Sequence, residues 1–119
     1  MKYNVIAIFD KTIENVLMCK RTKKPYKGMY NFVGGKIEKE NDGLNEAYRE
    51  LKEETNISDK DISLIHFMNI DYILFNKSIE VYYGILNNDV QLIEEVNELE
   101  WVNINDDFFN MEKYAGEGN

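Results

Sequence analysis

Hydrophobic and polar residues follow one another along the chain in a pattern that predicts several short strands around one helix. Segments rich in β-branched and aromatic residues, separated by polar or glycine-containing breaks, are typical of strands. The predicted strand segments are Tyr3–Phe9, Val16–Cys19, Tyr30–Val33, Ile62–Leu74, Ile79–Leu86 and Leu99–Ile104. We expect the first two to pair, and the polar turn Asn76-Lys77-Ser78 to join the fourth and fifth as a hairpin.

The segment Gly43–Thr55 has the periodicity of an amphipathic helix. Its apolar residues recur at helical spacing and form one stripe, which consists of Leu44, Ala47, Tyr48 and Leu51. Either Asn41 or Asp42 is a suitable N-cap, because both side chains accept hydrogen bonds from the first backbone amides of a helix. Asn56 is expected to end the helix in the left-handed conformation.

Strands on both sides of a central helix indicate an α+β fold with a mixed sheet and the helix packed on it. After Trp101 only eighteen residues remain, and we expect Asp106–Tyr114 to begin a second helix. Because Ala115–Asn119 resembles a loop, we expect this helix to be truncated. A truncated helix would expose apolar sheet and favour dimers, so the chain is expected to be a monomer or a homodimer.

Composition and charge restrict the class of protein. With 119 residues, of which 44 % are hydrophobic and 30 % charged, the chain is expected to fold as one domain over residues 1–119. The net charge of −8 argues against binding a nucleic-acid polymer, whose phosphates require Lys and Arg. Cys19 is the only cysteine, which favours a reducing cytoplasm. The apolar run Val5–Phe9 is too short for a signal peptide, and no run reaches the ~20 apolar residues of a membrane span.

A cluster of glutamates in the predicted helix is the strongest indication of chemistry. Glu46, Glu50, Glu53 and Glu54 share one helix face, within an arc of about 100°. Like charges one turn apart repel each other by a few tenths of a kcal/mol. Carboxylate oxygens are the ligands that Mg²⁺ and Mn²⁺ prefer, so bound divalent cations would explain the cluster.

In this region the sequence resembles the Nudix hydrolases, whose motif runs from a glycine through a glutamate to R-E-U-x-E-E-x-G-U, with U a bulky aliphatic residue. Gly35 matches the first glycine, Arg49–Glu54 (RELKEE) matches the centre, and Ile57 fills the last aliphatic position. Asn41 replaces the first glutamate and Asn56 replaces the late glycine. Asparagine tolerates the left-handed conformation, so the second replacement is mild.

The resemblance implies the Nudix α/β/α sandwich, with a mixed sheet and the helix 43–55 at its centre. It also implies a catalytic Mg²⁺ ion, for which Mn²⁺ can substitute. By family analogy the metal is held by Glu50, Glu53, Glu54 and the backbone carbonyl of Gly34. Arg49 is then expected to pair with and orient a carboxylate ligand, since guanidinium binds carboxylate with two hydrogen bonds.

The resemblance also requires a general base that takes a proton from the attacking water. In relatives the base comes either from the motif, here Glu50, or from a glutamate in the loop before the last strand. That loop contains Glu94, Glu95, Glu98 and Glu100. By its spacing to Trp101, Glu95 is the first choice and Glu98 the second.

Substrate contacts are expected just before the motif, where six of the fourteen Lys and Arg concentrate: Lys20, Arg21, Lys23, Lys24, Lys27 and Lys36. Arg21 and Lys36 match positions that contact phosphates in nucleotide-cleaving relatives. The sequence Y-N-F-V-G-G resembles W-N-x-F-G-G of the oxidised-purine triphosphatases, in which the asparagine, here Asn31, reads the base edge. Tyr30, Phe32 or Tyr82 would be available to stack on the base, although aromatic residues in strands more often lie in the core.

These residues together predict an enzyme that hydrolyses a nucleoside triphosphate to monophosphate and pyrophosphate, with 8-oxo-dGTP as the favoured substrate. Dinucleoside polyphosphates, ADP-ribose and other nucleoside diphosphate derivatives stay open as substrates. A non-catalytic module that binds a nucleotide is the alternative from another class. Asn41 favours that alternative, unless a shifted loop lets Glu40 replace the lost carboxylate.

Overall fold

The computed structural model describes residues 1–22, 27–38, 42–94, 97–110 and 112–114. Its elements in chain order are β1 (Lys2–Phe9), β2 (Asn15–Lys20), β3 (Tyr30–Lys36), α1 (Gly43–Thr55), β4 (Ile65–Tyr72), a 3-10 turn (Ile73–Phe75), β5 (Lys77–Ile85) and β6 (Glu98–Asn103). None of the helices within these ranges has the length and apolar character that crossing a bilayer requires.

The strands form one mixed sheet in the order β4-β5-β1-β3-β2-β6. β1 and β5 run parallel, and the other neighbouring strands run antiparallel. The α+β class and the mixed sheet are therefore confirmed. The predicted pairing of the first two strands is wrong except at Phe9 and Val16, because β3 lies between β1 and β2 and takes most of their hydrogen bonds.

The predicted hairpin of β4 and β5 is confirmed, but its turn lies earlier than expected. Lys77 and Ser78 already belong to β5, and the chain reverses through the 3-10 turn and Asn76. Asn76 has the left-handed φ of 48°, which asparagine adopts more easily than most residues. The apolar turn residues had suggested strand, since apolar residues in a run do not by themselves distinguish a buried strand from an exposed turn.

Helix α1 begins and ends as predicted. Asn56 ends it with φ 73°, and its backbone N–H donates to the carbonyl of Lys52 at 3.0 Å. Asp42 is the N-cap residue, although its side chain makes no capping hydrogen bond; Asn41 lies outside the described residues. Most of the apolar stripe is buried or partly buried against the sheet, but Leu44 in the first turn is 45 % exposed.

The sheet has an apolar core on each face. The helix face, which packs on α1, carries Ile6, Ile8, Leu17, Val33 and Tyr82. The far face carries Phe9, Val16, Met18, Phe32 and Val102, which pack with Phe108 and Tyr114 from the segment after β6.

The segment after β6 does not form the helix predicted for Asp106–Tyr114 in its described residues. The side chains of Asp107 and Asn110 accept hydrogen bonds from the backbone N–H groups of Phe109 and Glu112. Such local bonds compete with helix formation and favour turns. Tyr114 instead forms a parallel bridge with Tyr30. Within the described ranges, turns and not a second helix cover this part of the far face.

Candidate active site

The two glycines at the end of β3 lie directly against α1 and β1. The backbone N–H of Gly34 donates to Oε2 of Glu54 at 3.2 Å, and the N–H of Gly35 donates to Oδ1 of Asn4 at 2.8 Å. Gly34 has φ +149°, and a Cβ there would stand 2.2 Å from the carbonyl oxygen of Asn4. Only glycine allows the backbone of β3 to pass so close to β1.

Gly35 gives room to a glutamate of the motif. A Cβ at Gly35 would stand 3.1 Å from Cδ and Oε2 of Glu50, which is closer than most real contacts of a Cβ atom. Gly34 and Gly35 therefore bring the backbone of β3 against the carboxylates of Glu54 and Glu50. The structure thus joins two halves of the motif that are separated by a loop in the sequence.

Arg49 connects three of the four clustered glutamates. Its Nη2 donates to Glu46 at 2.7 Å and to Glu50 at 3.2 Å, while its Nη1 lies 3.0 Å from both carboxylate oxygens of Glu53. The Glu46 pair raises the pKa of Arg49 most, followed by the Glu53 pair. Glu46 is 4 % exposed. Its burial beside Arg49 makes it part of the carboxylate cluster.

Burial makes the negative charge of the inner glutamates costly. Burial raises the pKa of Glu54 to about 7; the Gly34 hydrogen bond opposes this rise, and the charges of Glu50 and Glu53 add to it. The pKa of Glu50 is also raised, first by burial and then by Glu53 and Glu46, while Arg49 lowers it. Two carboxylates that are destabilised by burial and by each other would both be stabilised by a cation between them.

The residues present fit a hard divalent cation by their chemistry. Glu54 and Glu50 supply carboxylate oxygens beside the Gly34–Gly35 backbone, and the exposed Glu53 adds a carboxylate on the same helix. Carboxylate oxygen is the donor type that Mg²⁺ takes. In the part of the chain that the structure describes, no three acidic, histidine or cysteine side chains already stand in a metal-binding cluster. Arg49 holds Glu50 and Glu53 instead, so binding a cation would require these carboxylates to turn away from it.

The three predicted substrate contacts lie at different points around β2 and β3. Arg21 follows β2, and its charge lowers the pKa of Cys19, while Glu54 raises it. Lys36 is exposed at the end of β3, directly after Gly35.

Asn31 lies on the helix face, because it is two residues before Val33 in β3 and residues two apart in a strand share one face. Its Oδ1 accepts the N–H of Phe32 at 2.9 Å, which leaves the amide nitrogen as the group suited to a ligand. Tyr30 and Phe32 lie on the far face, where they belong to the apolar core that contains Tyr114. A base read by Asn31 would thus not stack on either of them.

Tyr82 and His66 pack against each other, and their contacts are structural. Tyr82 is buried in the core of the helix face, its hydroxyl donates to Glu80 at 2.6 Å, and the ring of His66 stacks on it at 4.8 Å. Burial and the hydrogen bond to Glu80 raise the pKa of Tyr82. Tyr82 is therefore a core residue and does not present a stacking surface.

The candidates for the general base lie on different sides of the sheet, and the structure does not describe one of them. Glu95 lies outside the described residues. Glu98 and Glu100 alternate with Leu99 and Trp101, which pack on the helix face, so both glutamates lie on the far face. Tyr30 donates a hydrogen bond to Glu100 there. The sheet separates Glu98 and Glu100 from α1, while Glu50 lies within the cluster itself.

Sequence reasoning missed two buried polar residues beside the cluster. Asn4 and Glu80 are 2 % and 9 % exposed, and each occupies an inward position of its strand, in line with Ile6 and Tyr82. A Cβ at Gly43 would stand 2.2 Å from Oε1 of Glu80, so this carboxylate contacts the first residue of α1. A negative charge is favourable there because the N-terminus of a helix is partly positive. The sequence did contain a signal for both residues, because each is a polar residue two positions before an apolar residue of the same strand.

A comparison with family models matches the chain to the one described as NUDIX domain, over residues 2–116. A comparison with curated protein sequences found no match. Several solved structures are similar in fold. The NUDIX domain of Shewanella oneidensis NrtR, complexed with ADP ribose, is 14 % identical with a TM-score of 0.70, and the match covers 87 % of this chain and 73 % of that one.

Two further similar structures carry enzyme names. For MutT from Aliivibrio salmonicida and Vibrio cholerae the identity is 22 % and the TM-score 0.68, with 87 % of this chain and 77 % of that chain covered. For a binary complex of the C. elegans Ap4A hydrolase the identity is 23 % and the TM-score 0.69, with coverages of 96 % and 87 %. These likenesses show a shared fold. Because the family model spans nearly the whole of the chain, this protein belongs to the Nudix hydrolase family.

Proposed function

We propose that this Nudix hydrolase uses Mg²⁺ to cleave a nucleoside triphosphate into a nucleoside monophosphate and pyrophosphate. The observation that carries the proposal is the contact of Gly34 and Gly35 with the carboxylates of Glu54 and Glu50. This contact brings the carboxylates of Glu50 and Glu54 beside the Gly34–Gly35 backbone at one end of β3. An ordinary acidic helix surface would not require a β-strand backbone to pass against its glutamates.

The proposed metal ligands are Glu50, Glu53, Glu54 and the carbonyl oxygen of Gly34. When bound, Mg²⁺ or Mn²⁺ supplies neutralisation of phosphate charge and a lower pKa for a water molecule. Arg49 is a positioning residue in this proposal, because it holds Glu46, Glu50 and Glu53 at defined places along α1. Hydrolysis consumes one water and breaks one phosphoanhydride P–O bond, and the water proton passes to a base.

The base remains to be assigned among Glu50, Glu95 and Glu98. The location of Glu50 within the cluster favours it over Glu98, which lies across the sheet. We keep Glu95 as a candidate on its sequence position alone. Glu50→Gln, Glu95→Gln and Glu98→Gln, compared by the pH dependence of kcat, would distinguish the three.

The proposed substrate is a purine nucleotide, with 8-oxo-dGTP as the first candidate. Arg21 is proposed as a phosphate contact from its position directly after β2, where its backbone N–H donates to the carbonyl of Met29 at 2.8 Å. Asn31 supports base recognition, since its amide nitrogen can donate to a purine edge while its oxygen is held by Phe32. Lys36 is proposed as a second phosphate contact from its exposed position beside Gly35. A cytoplasmic location stays a prediction from composition.

ADP-ribose and dinucleoside polyphosphates are the alternative substrates. The similar structures include a NUDIX domain with bound ADP ribose and an Ap4A hydrolase. A non-catalytic nucleotide-binding module is the remaining alternative, for which the replaced glutamate at Asn41 is the sequence argument. The same experiment separates all of these.

The deciding experiment incubates the chain with Mg²⁺ and a panel of canonical and oxidised nucleoside triphosphates, ADP-ribose and dinucleoside polyphosphates. Pyrophosphate, orthophosphate and nucleoside monophosphate are measured separately. We expect pyrophosphate from a triphosphate, and a loss of at least about 100-fold in kcat for Glu53→Gln. Glu14→Gln, an exposed glutamate of the β1–β2 turn, is the control and should keep full activity. Nucleotide binding without any turnover would instead support the binding module.

A further inference from the structure

The hairpin of β4 and β5, together with the 3-10 turn that joins the two strands, carries exposed apolar residues that the proposed hydrolysis does not use. We call these residues the hairpin surface. Its eight large residues are between 39 % and 94 % exposed: Ile65, Phe67, Met68, Tyr72, Ile73, Leu74, Phe75 and Ile85. Scattered exposed apolar residues are ordinary, but a contiguous patch of this kind marks an interaction site.

A β-bulge brings three of these residues, Ile65, Phe67 and Met68, to the far face of β4. In regular β-structure, side chains alternate between the two faces of the sheet. The register of β4 on β5 shifts between His66 and Met68, so Ile65 pairs with Tyr83 while Met68 pairs with Val81. Ile65 and Met68 therefore share the far face, and Phe67 within the bulge packs edge-on against Tyr83 of the same face at 5.9 Å.

The polar residues of β4 lie on the opposite face. His66 stacks on Tyr82 and contacts Asn69 at 2.6 Å, while Asp71 accepts a hydrogen bond from Ser78 at 2.8 Å. The hairpin surface consequently includes no acidic side chain, in a chain whose net charge is −8. A strand with apolar residues on one face and polar residues on the other is typical of a strand whose apolar face is covered and whose polar face is solvated.

We propose that the hairpin surface binds a second copy of this chain across a two-fold axis. At about 200 Å² for each fully exposed large side chain, the eight residues expose roughly 1,000 Å². A stable interface needs about 800 Å² from each partner. Because a two-fold interface uses the same surface on both copies, one apolar patch without acidic side chains suffices, and the acidic remainder of each copy stays in solvent.

The position of β4 at the edge of the sheet adds to the proposal. Its outer backbone N–H and C=O groups have no neighbouring strand in the sheet order. Edge strands of monomers are usually protected by proline, lysine or short length, whereas β4 has eight residues with Asp71 as its one charge. A second copy would cover both the edge and the apolar face. This inference does not depend on the substrate or on metal binding.

Sedimentation equilibrium of the whole chain over a wide concentration range tests the proposal. We expect a dimer, and we expect Phe67→Glu and Leu74→Glu each to weaken it at least tenfold. Phe109→Glu is the matched control, because Phe109 is 83 % exposed but lies after β6 outside the hairpin surface. It should leave the dimer unchanged. Higher salt should tighten the wild-type dimer, since salt screens the repulsion between two acidic copies.

Several outcomes would overturn the proposal. A monomeric wild-type chain at all concentrations would do so, including one that binds lipid vesicles or another protein through this surface. A dimer that keeps its affinity in both variants would do so as well. If Phe67→Glu fails to fold by circular dichroism, Leu74→Glu decides, because Leu74 is 94 % exposed and supports no core contact that folding needs.

Discussion

The side chain of Asn4 accepts a hydrogen bond from the backbone N–H of Gly35 at 2.8 Å, which links the first strand to the glycines beside the glutamate cluster. Asn4 is almost fully buried, and its Nδ2 has no hydrogen-bond partner among the described residues. A buried amide with an unsatisfied donor is unfavourable, and the bond to Gly35 is the contact of the Asn4 side chain that offsets this cost. Asn4 thereby positions the backbone next to the proposed metal ligands.

Asn4→Ala should lower the free energy of unfolding by about 1–3 kcal/mol, because the N–H of Gly35 loses its acceptor in a buried place. We also expect a lower kcat, since the Gly34–Gly35 backbone is less well held. Urea unfolding and steady-state kinetics measure the two effects. Asn69→Ala is the control, because Asn69 lies in the same row across the sheet but is exposed. Equal stability of Asn4→Ala and wild type would contradict the positioning role.

Gly34→Ala and Gly35→Ala should affect different properties. At Gly34 the φ of +149° and the 2.2 Å approach of the Asn4 carbonyl oppose any side chain, so we expect a loss of more than about 2 kcal/mol in stability. At Gly35 the new methyl group meets the movable carboxylate of Glu50. Stability should change little there, while kcat falls. Thermal denaturation and kinetics of both variants check this contrast, which similar losses of stability would disprove.

Arg49→Gln should weaken both the fold and the activity. It removes the ion pair from buried Glu46, and we expect a stability loss of about 1–2 kcal/mol, limited because Arg49 is itself partly exposed to solvent. Arg49→Lys keeps the charge but cannot contact three carboxylates at once, so we expect it to restore part of the stability but not the activity. Chemical denaturation and kcat test this. Lys52→Gln on the same helix is the control and should behave like wild type.

The thiol of Cys19 should be unreactive in the folded protein. Burial, and secondarily Glu54, raise its pKa from 9.0 to about 11. The unfolded thiol ionises near pH 9, so the contribution of Cys19 to stability is complete below that pH and is lost as the pH rises towards 11. Iodoacetamide should therefore label the unfolded chain at pH 9 and leave the native chain almost unlabelled. Rapid labelling of the native chain at that pH would contradict this account.

Local patterns predicted much of the fold because helices and turns depend on neighbouring residues. The bounds of α1 and the left-handed stop at Asn56 follow from periodicity and from the conformational tolerance of asparagine. All six strand segments were also located, with each end at most three residues from the observed one. The turn residues Ile73–Phe75 were misread as strand, since an exposed apolar turn has no distinctive local signal.

The candidate site was predictable only in part, because some of its residues are brought together by contacts between distant segments. The glutamate cluster on α1 was visible from its spacing, as was its match to a known motif. The role of Asn4 and the burial of Glu46 and Glu80 depend on β1 lying between β3 and β5, with α1 packed on the same face of the sheet. No spacing within one segment contains that information.

The chain by itself therefore determined the helix, its acidic face and the glycines that precede it, because each depends on residues a few positions apart. Tertiary structure alone decided that β3 lies between β1 and β2, that Asn4 holds Gly35, and that Glu98 lies across the sheet from α1. It also decided that the apolar residues of β4 face solvent. These features result from pairing between strands that are distant in sequence, where many registers satisfy the local preferences and the packing of the whole core selects one.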